Sequence, residues 1–237
     1  MQRTLDRLRY GFGAAGKARK RKAEGAARAA AFVGLETDRA GALPRRHYAS
    51  YEDYIAHQGS KLGQIERRLR RVEGEDLDSF RASFASCAAL KGRRTVLCLG
   101  ARIGTEVRAL IELGHLAVGV DLNPGEANRY VLYGDFHHLI FPDRSFAAIY
   151  TNTLDHVFDL TKLVSEIRRV LEAGGVLIAD VVLGFEEGHL PGEFEATFWS
   201  SIDELVDALS KAGLQLISRR TLGHPLMHQL VMSAEPT

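Results

Sequence analysis

The spacing of apolar positions changes near residue 95 and divides the chain into two regimes. Before it, Tyr51, Ile55, Gln58, Leu62, Ile65, Leu69 and Val72 recur in alternating steps of four and three. That puts one narrow stripe on one face of a helix. Ser50, with Asp53 three residues later, resembles a capping box, and Gly74 is placed to close the helix. The spacing therefore predicts a helix over 50–73, and Phe80, Phe84, Cys87 and Leu90 mark a second one before Gly92. Beyond residue 95, strands are predicted at 95–99, 116–120, 130–132, 146–150, 176–182, 214–218 and 229–233. Helices are predicted between them at 106–113, 160–171 and 202–209, with Gly174-Gly175 ending the middle one. This alternation predicts an α/β fold: a mostly parallel seven-stranded sheet with helices on both faces, plus a helical N-terminal extension. The last two strands are close enough to form an antiparallel hairpin at the sheet edge.

Charge sharpens the division. Residues 1–94 hold 21 Lys/Arg against 11 Asp/Glu, and residues 95–237 hold 10 against 19, although the whole chain is nearly neutral at +1. Lys17, Arg19, Lys20, Arg21 and Lys22 form a basic block that reads as a solvated arm. Weak contact with an anionic surface is its alternative use. The organisation expected is a basic arm over 1–47, a helical cap over 48–92 and a ligand-binding domain over 93–237. The stripe of the cap must be buried, as a lid or in a homodimer. Cys87 and Cys98 do not make a disulfide framework, and no run reaches the roughly 18 apolar residues of a membrane span. These features point to a cytoplasmic protein.

The chemistry begins where the apolar strand Val96-Leu97-Cys98-Leu99 runs into Gly100-Ala101-Arg102-Ile103-Gly104 and a helix. A strand, glycine turn and helix bring backbone N–H groups towards a ligand. The second strand ends at Asp121, 21 residues after Gly100 and followed by Leu122. A carboxylate there can accept the hydroxyls of a ribose. Gly134-Asp135-Phe136 follows the third strand, either as a surface turn or as a second place where a carboxylate meets a nucleoside base. Together these features indicate a nucleoside-containing cofactor without choosing it.

With 141–146, Leu154-Asp155-His156, Arg169-Val170-Leu171 and Gly174-Gly175 added, the sequence resembles the class I S-adenosylmethionine-dependent methyltransferases, which have a Rossmann-like sheet. The resemblance implies S-adenosyl-L-methionine as cofactor. It assigns the methionine part to Gly100 and Gly104, the ribose to Asp121, and the adenine to Asp135 with Phe136; Ala101, Arg102, Leu122, Gly134 and Asn152 complete the expected cofactor-binding set. It also shows two departures: Cys98 stands where the family usually has an acid, and Arg102 where it has a third glycine. Arg102 either pairs with the cofactor carboxylate or turns to solvent.

The acceptor is expected beyond the carboxyl ends of the fourth and fifth strands, near Asn152, Asp155, His156 and Asp180. His156 beside Asp155 is a candidate general base; alternatively Asp155 starts a helix and His156 packs behind it. Glu186, Glu187, His189, Glu193 and Glu195 lack tight metal-ligand spacing and read as a solvated loop. Phe194, Phe198 and Trp199 belong either to the acceptor pocket or to the core. The expected reaction is methyl transfer to an oxygen or nitrogen of a small molecule. A nicotinamide oxidoreductase is the first alternative, though the turn lacks G-x-G-x-x-G, and a non-catalytic cofactor binder is the second. A nucleic-acid acceptor is disfavoured, because Asn123-Pro124 follows the second strand and no Pro-Cys pair exists.

Overall fold

The computed structural model describes residues 37–38, 43–223 and 227–234. The basic block at 17–22, and with it the expected contact of the arm, lies outside the described residues. A two-stranded ribbon, β1 (Thr37–Asp38) with β2 (Arg45–Arg46), precedes a long helix, α1 (Tyr51–Ala85). The main sheet follows as β3 (Thr95–Leu99), β4 (Leu116–Asp121), β5 (Val131–Tyr133), β6 (Phe146–Thr151), β7 (Leu171–Val182), β8 (Gln215–Thr221) and β9 (Met227–Ser233). Its helices are α2 (Thr105–Glu112), α3 (Leu160–Val170) and α4 (Ile202–Lys211).

The seven strands run in the order β5-β4-β3-β6-β7-β9-β8. The first five are parallel, while β9 pairs antiparallel with both β7 and β8. The expected hairpin exists, with β8 at the edge and β9 inserted beside β7. Successive side chains of β3 go to opposite faces, as the period of two requires. Leu97 and Leu99 join the core beneath Leu163, Ile167, Leu205 and Leu209 of α3 and α4. Val96 and Cys98 join the core of Val107 and Leu110 from α2 and Phe84 from α1.

Two boundaries differ from the sequence expectation. The predicted pair of N-terminal helices is one helix of 35 residues that passes through Gly74 without a break. A glycine inside a helix costs only about 1 kcal/mol, and contacts on both sides hold this one together. Glu73 pairs with Arg108 of α2, and Phe84 packs edge-on against Tyr150 of β6. Cys87 and Leu90 fall beyond it, around a short 3-10 turn. Gly174-Gly175 do not terminate α3, which ends at Val170. They lie inside β7, whose first residue Leu171 already pairs with Phe146 before a register shift.

Helix α1 starts as expected, with Ser50 Oγ accepting from Asp53 N at 3.1 Å. It then crosses the carboxyl ends of the strands. Tyr54 Oη donates to His156 O at 3.0 Å, Gln58 Nε2 to Phe194 O at 2.8 Å, and Asn123 Nδ2 to Gly59 O at 2.7 Å. At its far end Arg220 Nη2 donates to Ser83 O at 3.0 Å. Its buried residues Tyr54, Leu62 and Phe84 are therefore covered within the chain. Among the described residues no helix is long and apolar enough to cross a membrane.

Candidate functional site

The turn after β3 is shaped by left-handed backbone at Gly100 (φ 69°), Arg102 (φ 43°) and Gly104 (φ 82°). The two glycines are required by the chain itself. A Cβ on Gly100 would lie 2.4 Å from Thr153 Oγ1, and one on Gly104 would lie 2.9 Å from Tyr130 Cβ. Arg102 keeps the conformation a glycine would take there, at a cost of roughly 1–2 kcal/mol. Gly100 N and Ala101 N both donate to Val120 O, at 2.8 and 3.2 Å, which ties the turn to β4.

Asp121 ends β4 directly beneath this turn. Its Oδ2 accepts from Arg102 N at 2.9 Å and its Oδ1 from Asn123 N at 2.8 Å. Burial pushes its pKa up, and those two bonds work against the rise. Each carboxylate oxygen still has acceptor capacity for a further donor. Gly134 N bonds to Asp121 O at 3.0 Å, so the next turn is held to the same strand end. Asp135 is more fully occupied. Its Oδ1 accepts from His137 N at 2.8 Å and faces His137 Nδ1 at 2.9 Å, while its Oδ2 accepts from Tyr51 Oη of α1 at 2.6 Å. Burial opposes ionisation of Asp135, but these bonds outweigh it and hold the carboxyl well below its usual range. Phe136 beside it is buried.

On the β6 side, residues 154–156 form a single 3-10 turn, and α3 is capped instead by Asp159, which accepts from Lys162 N at 2.9 Å. His156 Nδ1 lies 2.8 Å from Phe194 O, a carbonyl, so that nitrogen carries the hydrogen. Nε2 is then the acceptor, and Lys61 Nζ of α1 lies 2.6 Å from it. Burial, with Lys61 and Arg102 nearby, drives His156 down to about 3. Burial and Arg102 likewise lower Lys61 to about 8. Asp155 Oδ1 is 3.8 Å from His156 Nε2.

Two cavities open at this edge of the sheet and meet at Gly100 and Arg102. A recess of about 40 Å³ is lined by Asp121, Leu122, Phe136 and His156, with Lys61 and Leu62 of α1 closing it. The larger cavity, about 890 Å³, runs from Ala101 and Glu106 past Asn152 and Asp180 to Phe80 of α1. The four residues expected around the acceptor are thus distributed: Asn152 and Asp180 face the large cavity, His156 the recess, and Asp155 a third hollow with His189 and Trp199. Asp180 is held by Tyr150 Oη at 2.8 Å and Gln229 Nε2 at 2.8 Å. Trp199 belongs to the core, with Nε1 donating to Val182 O at 3.1 Å, whereas Phe194 stacks on His57 of α1 at 4.9 Å. In the acidic loop, Glu187 Oε2 accepts from Gly184 N and Ile202 N, both at 2.9 Å.

Three residues at the site have a role that the sequence does not indicate. Tyr51 belongs to the α1 stripe, yet its hydroxyl reaches Asp135. Lys61 sits among many basic positions of α1, and Glu106 reads as an ordinary acid in the first turn of a helix. Only tertiary contacts distinguish them.

A mostly parallel sheet with a final antiparallel strand next to β7, and a carboxylate under the glycine turn, are the arrangement of a Rossmann-like methyltransferase fold. Residues 97–179 match the family model described as a methyltransferase domain. A sterol 24-C-methyltransferase of Gibberella zeae is 29% identical over 160 residues, covering 59% of this chain and 41% of that protein. The chain thus matches about two fifths of the length of this curated relative. Among solved structures, the fold is similar to the 1,6-didemethyltoxoflavin-N1-methyltransferase of Burkholderia thailandensis, with a TM-score of 0.61 and 21% identity over 83% of this chain and 97% of that one. It is also similar to an S-adenosylmethionine-dependent methyltransferase of Thermotoga maritima, with a TM-score of 0.56 and 19% identity over 76% and 100% of the two chains.

Proposed function

We propose that the protein is an S-adenosyl-L-methionine-dependent methyltransferase acting on an oxygen or nitrogen of a small molecule. The observation that carries this reading is the Asp121 carboxylate, fixed under the 100–104 turn beside a cavity large enough for a second ligand. When bound, the cofactor supplies an electrophilic methyl group on its sulfonium. Asp121 holds the ribose, with Leu122 beside it. Gly100, Ala101, Arg102, Gly104 and Asn152 surround the methionine part. Gly134, Asp135 and Phe136 face the adenine, with the Tyr51 hydroxyl standing on Asp135 until the base arrives.

The recess over Asp121 is too small for a nucleoside while Lys61 and Leu62 fill it. Helix α1 therefore acts as a lid that shifts to admit the cofactor and returns over it. The acceptor lies in the large cavity over Asn152 and Asp180, and orientation against the methyl group supplies much of the rate. Where the recess meets the large cavity at Gly100 and Arg102, Lys61 takes the acceptor's proton, with the His156 ring fixing its Nζ and Asp155 adding negative charge nearby. The direct test is transfer of a labelled methyl group from S-adenosylmethionine to a panel of phenols, amines and a sterol, beside calorimetric binding of S-adenosylhomocysteine and of a nicotinamide dinucleotide. Turnover on a phenol or amine supports the reading. Turnover on the sterol alone, with the label on carbon rather than on its hydroxyl, moves the acceptor atom to carbon, and binding of only the dinucleotide overturns the assignment.

A further inference from the structure

The large cavity is lined by a buried carboxyl that the proposed reaction does not use. Glu106 stands in the first turn of α2, only 6% exposed, and lines the cavity with Gly100, Ala101, Arg102 and Thr105. Among the described residues no side chain hydrogen-bonds its carboxyl; its own backbone N–H is the one hydrogen-bond partner. The groups around it are mostly unhelpful to a negative charge. Cys98 is fully buried nearby, and the Asp76 and Asp121 carboxylates repel it. Arg102 is the nearby cation that favours its charged form. A carboxyl removed from water, without a bonded cation, and opening onto a ligand cavity is a place for a cationic ligand group.

S-Adenosylmethionine carries two cationic groups, the sulfonium and the α-ammonium, and only the ammonium donates hydrogen bonds. We propose that Glu106 is the residue that receives the α-ammonium group of the cofactor, and that it makes binding selective for cofactors that carry this group. The inference rests on the methyltransferase reading, because that reading places the methionine part at the 100–104 turn, next to Glu106. It also gives the carboxyl its charge. Burial pushes Glu106 up to about 8, so near neutral pH it is largely protonated before binding. An ammonium at hydrogen-bond distance favours the carboxylate, and the carboxyl proton leaves to solvent as the ligand binds.

The test uses the full chain and two probes: S-adenosylhomocysteine, and its analogue with the α-amino group replaced by hydrogen. Calorimetry at pH 7 in buffers of different ionisation enthalpy reads affinity and proton release together. For the unaltered protein we expect S-adenosylhomocysteine to bind with net proton release, and the deamino analogue to bind roughly 10- to 150-fold more weakly without it. Glu106→Gln should weaken S-adenosylhomocysteine by a similar factor, abolish the release, and leave the deamino analogue unchanged. Equal affinities of the unaltered protein for the two probes overturn the proposal, whatever the variant does. Equal losses of both probes in Glu106→Gln, or unaltered affinity for S-adenosylhomocysteine, also overturn it. If the unaltered protein binds neither probe, the cofactor reading itself has failed and this assignment falls with it.

Discussion

Single residues at this site carry costs that the proposed ligand would offset. Glu106 has a raised pKa of about 8, against roughly 4.3 for an unfolded chain. The sign follows from linkage. Folding favours the protonated carboxyl, so its contribution is intact below about pH 4 and is lost as pH rises through 8. Relative to Glu106→Gln, the unliganded protein should lose on the order of 3 kcal/mol between pH 4 and pH 7. Urea unfolding at the two pH values checks this, and parallel behaviour of the two proteins contradicts it. Arg102 is a second such residue, with φ 43° in a position suited to glycine. Arg102→Gly should stabilise the unliganded fold by about 1 kcal/mol and weaken S-adenosylhomocysteine if the guanidinium pairs with its carboxylate. Unchanged affinity would leave Arg102 in solvent. Asp121→Ala should weaken the same ligand roughly 10- to 150-fold, and calorimetric equality with the unaltered protein would remove the ribose assignment. Lys61 gives a pH prediction. Its neutral amine is the form that accepts a proton, and its pKa is lowered to about 8. Activity should therefore rise with pH through about 8, and Lys61→Met should flatten the profile and lower turnover by about 10²–10⁴-fold. A flat profile in the unaltered enzyme would place proton removal elsewhere.

At the scale of elements, legibility followed the source of each signal. β3 and β6 are readable because burial on both faces leaves an unbroken apolar run, and α3 because one buried stripe writes a helical period. The Ser50 cap was readable because it is a local bond. Gly74 misled because glycine marks a helix end only when its φ turns left-handed, and this one stays helical with nothing within 4 Å of a built Cβ. Gly74→Ala should accordingly stabilise the protein by about 0.5–1 kcal/mol, and a loss of stability on chemical denaturation would mean that α1 needs flexibility there. Gly174 has the left-handed backbone, φ 73°, yet it serves an irregular strand start rather than a helix end. The ribose candidate was legible from its distance to Gly100. Lys61, Glu106 and Tyr51 were not, since their significance comes from what α1 and α2 are pressed against.

At the scale of the molecule, α1 bridges parts of the chain that the sequence separates. It touches the β4 loop through Gly59, the 3-10 turn through Tyr54, α2 through Glu73 and β8 through Ser83. The division at residue 92 is thus a proposal about chain organisation, with a physical consequence. A fragment beginning at residue 91 should expose the surfaces that Tyr54, Leu62 and Phe84 cover, bind a hydrophobic dye and associate. A monomeric, cooperatively unfolding fragment would make the helix dispensable to the fold. The charge division of the sequence does not fall on α1, which holds six Lys/Arg against seven Asp/Glu.

The insertion of β9 bears on how the protein is made. Translation delivers β7, α4 and β8 before the strand that joins them. Until 227–233 leave the ribosome, the β7 edge from Val176 to Val182 has none of its seven partners, and Asp180 lacks the amide of Gln229. For the same interval β8 has no ladder at all, since β9 is its neighbour in the sheet. The nascent chain therefore carries an open, mostly apolar strand edge until β9 emerges, the kind of surface that recruits other chains. A ribosome stalled within β8 should hold a protease-sensitive chain, and protection should come as one late step when β9 slides in.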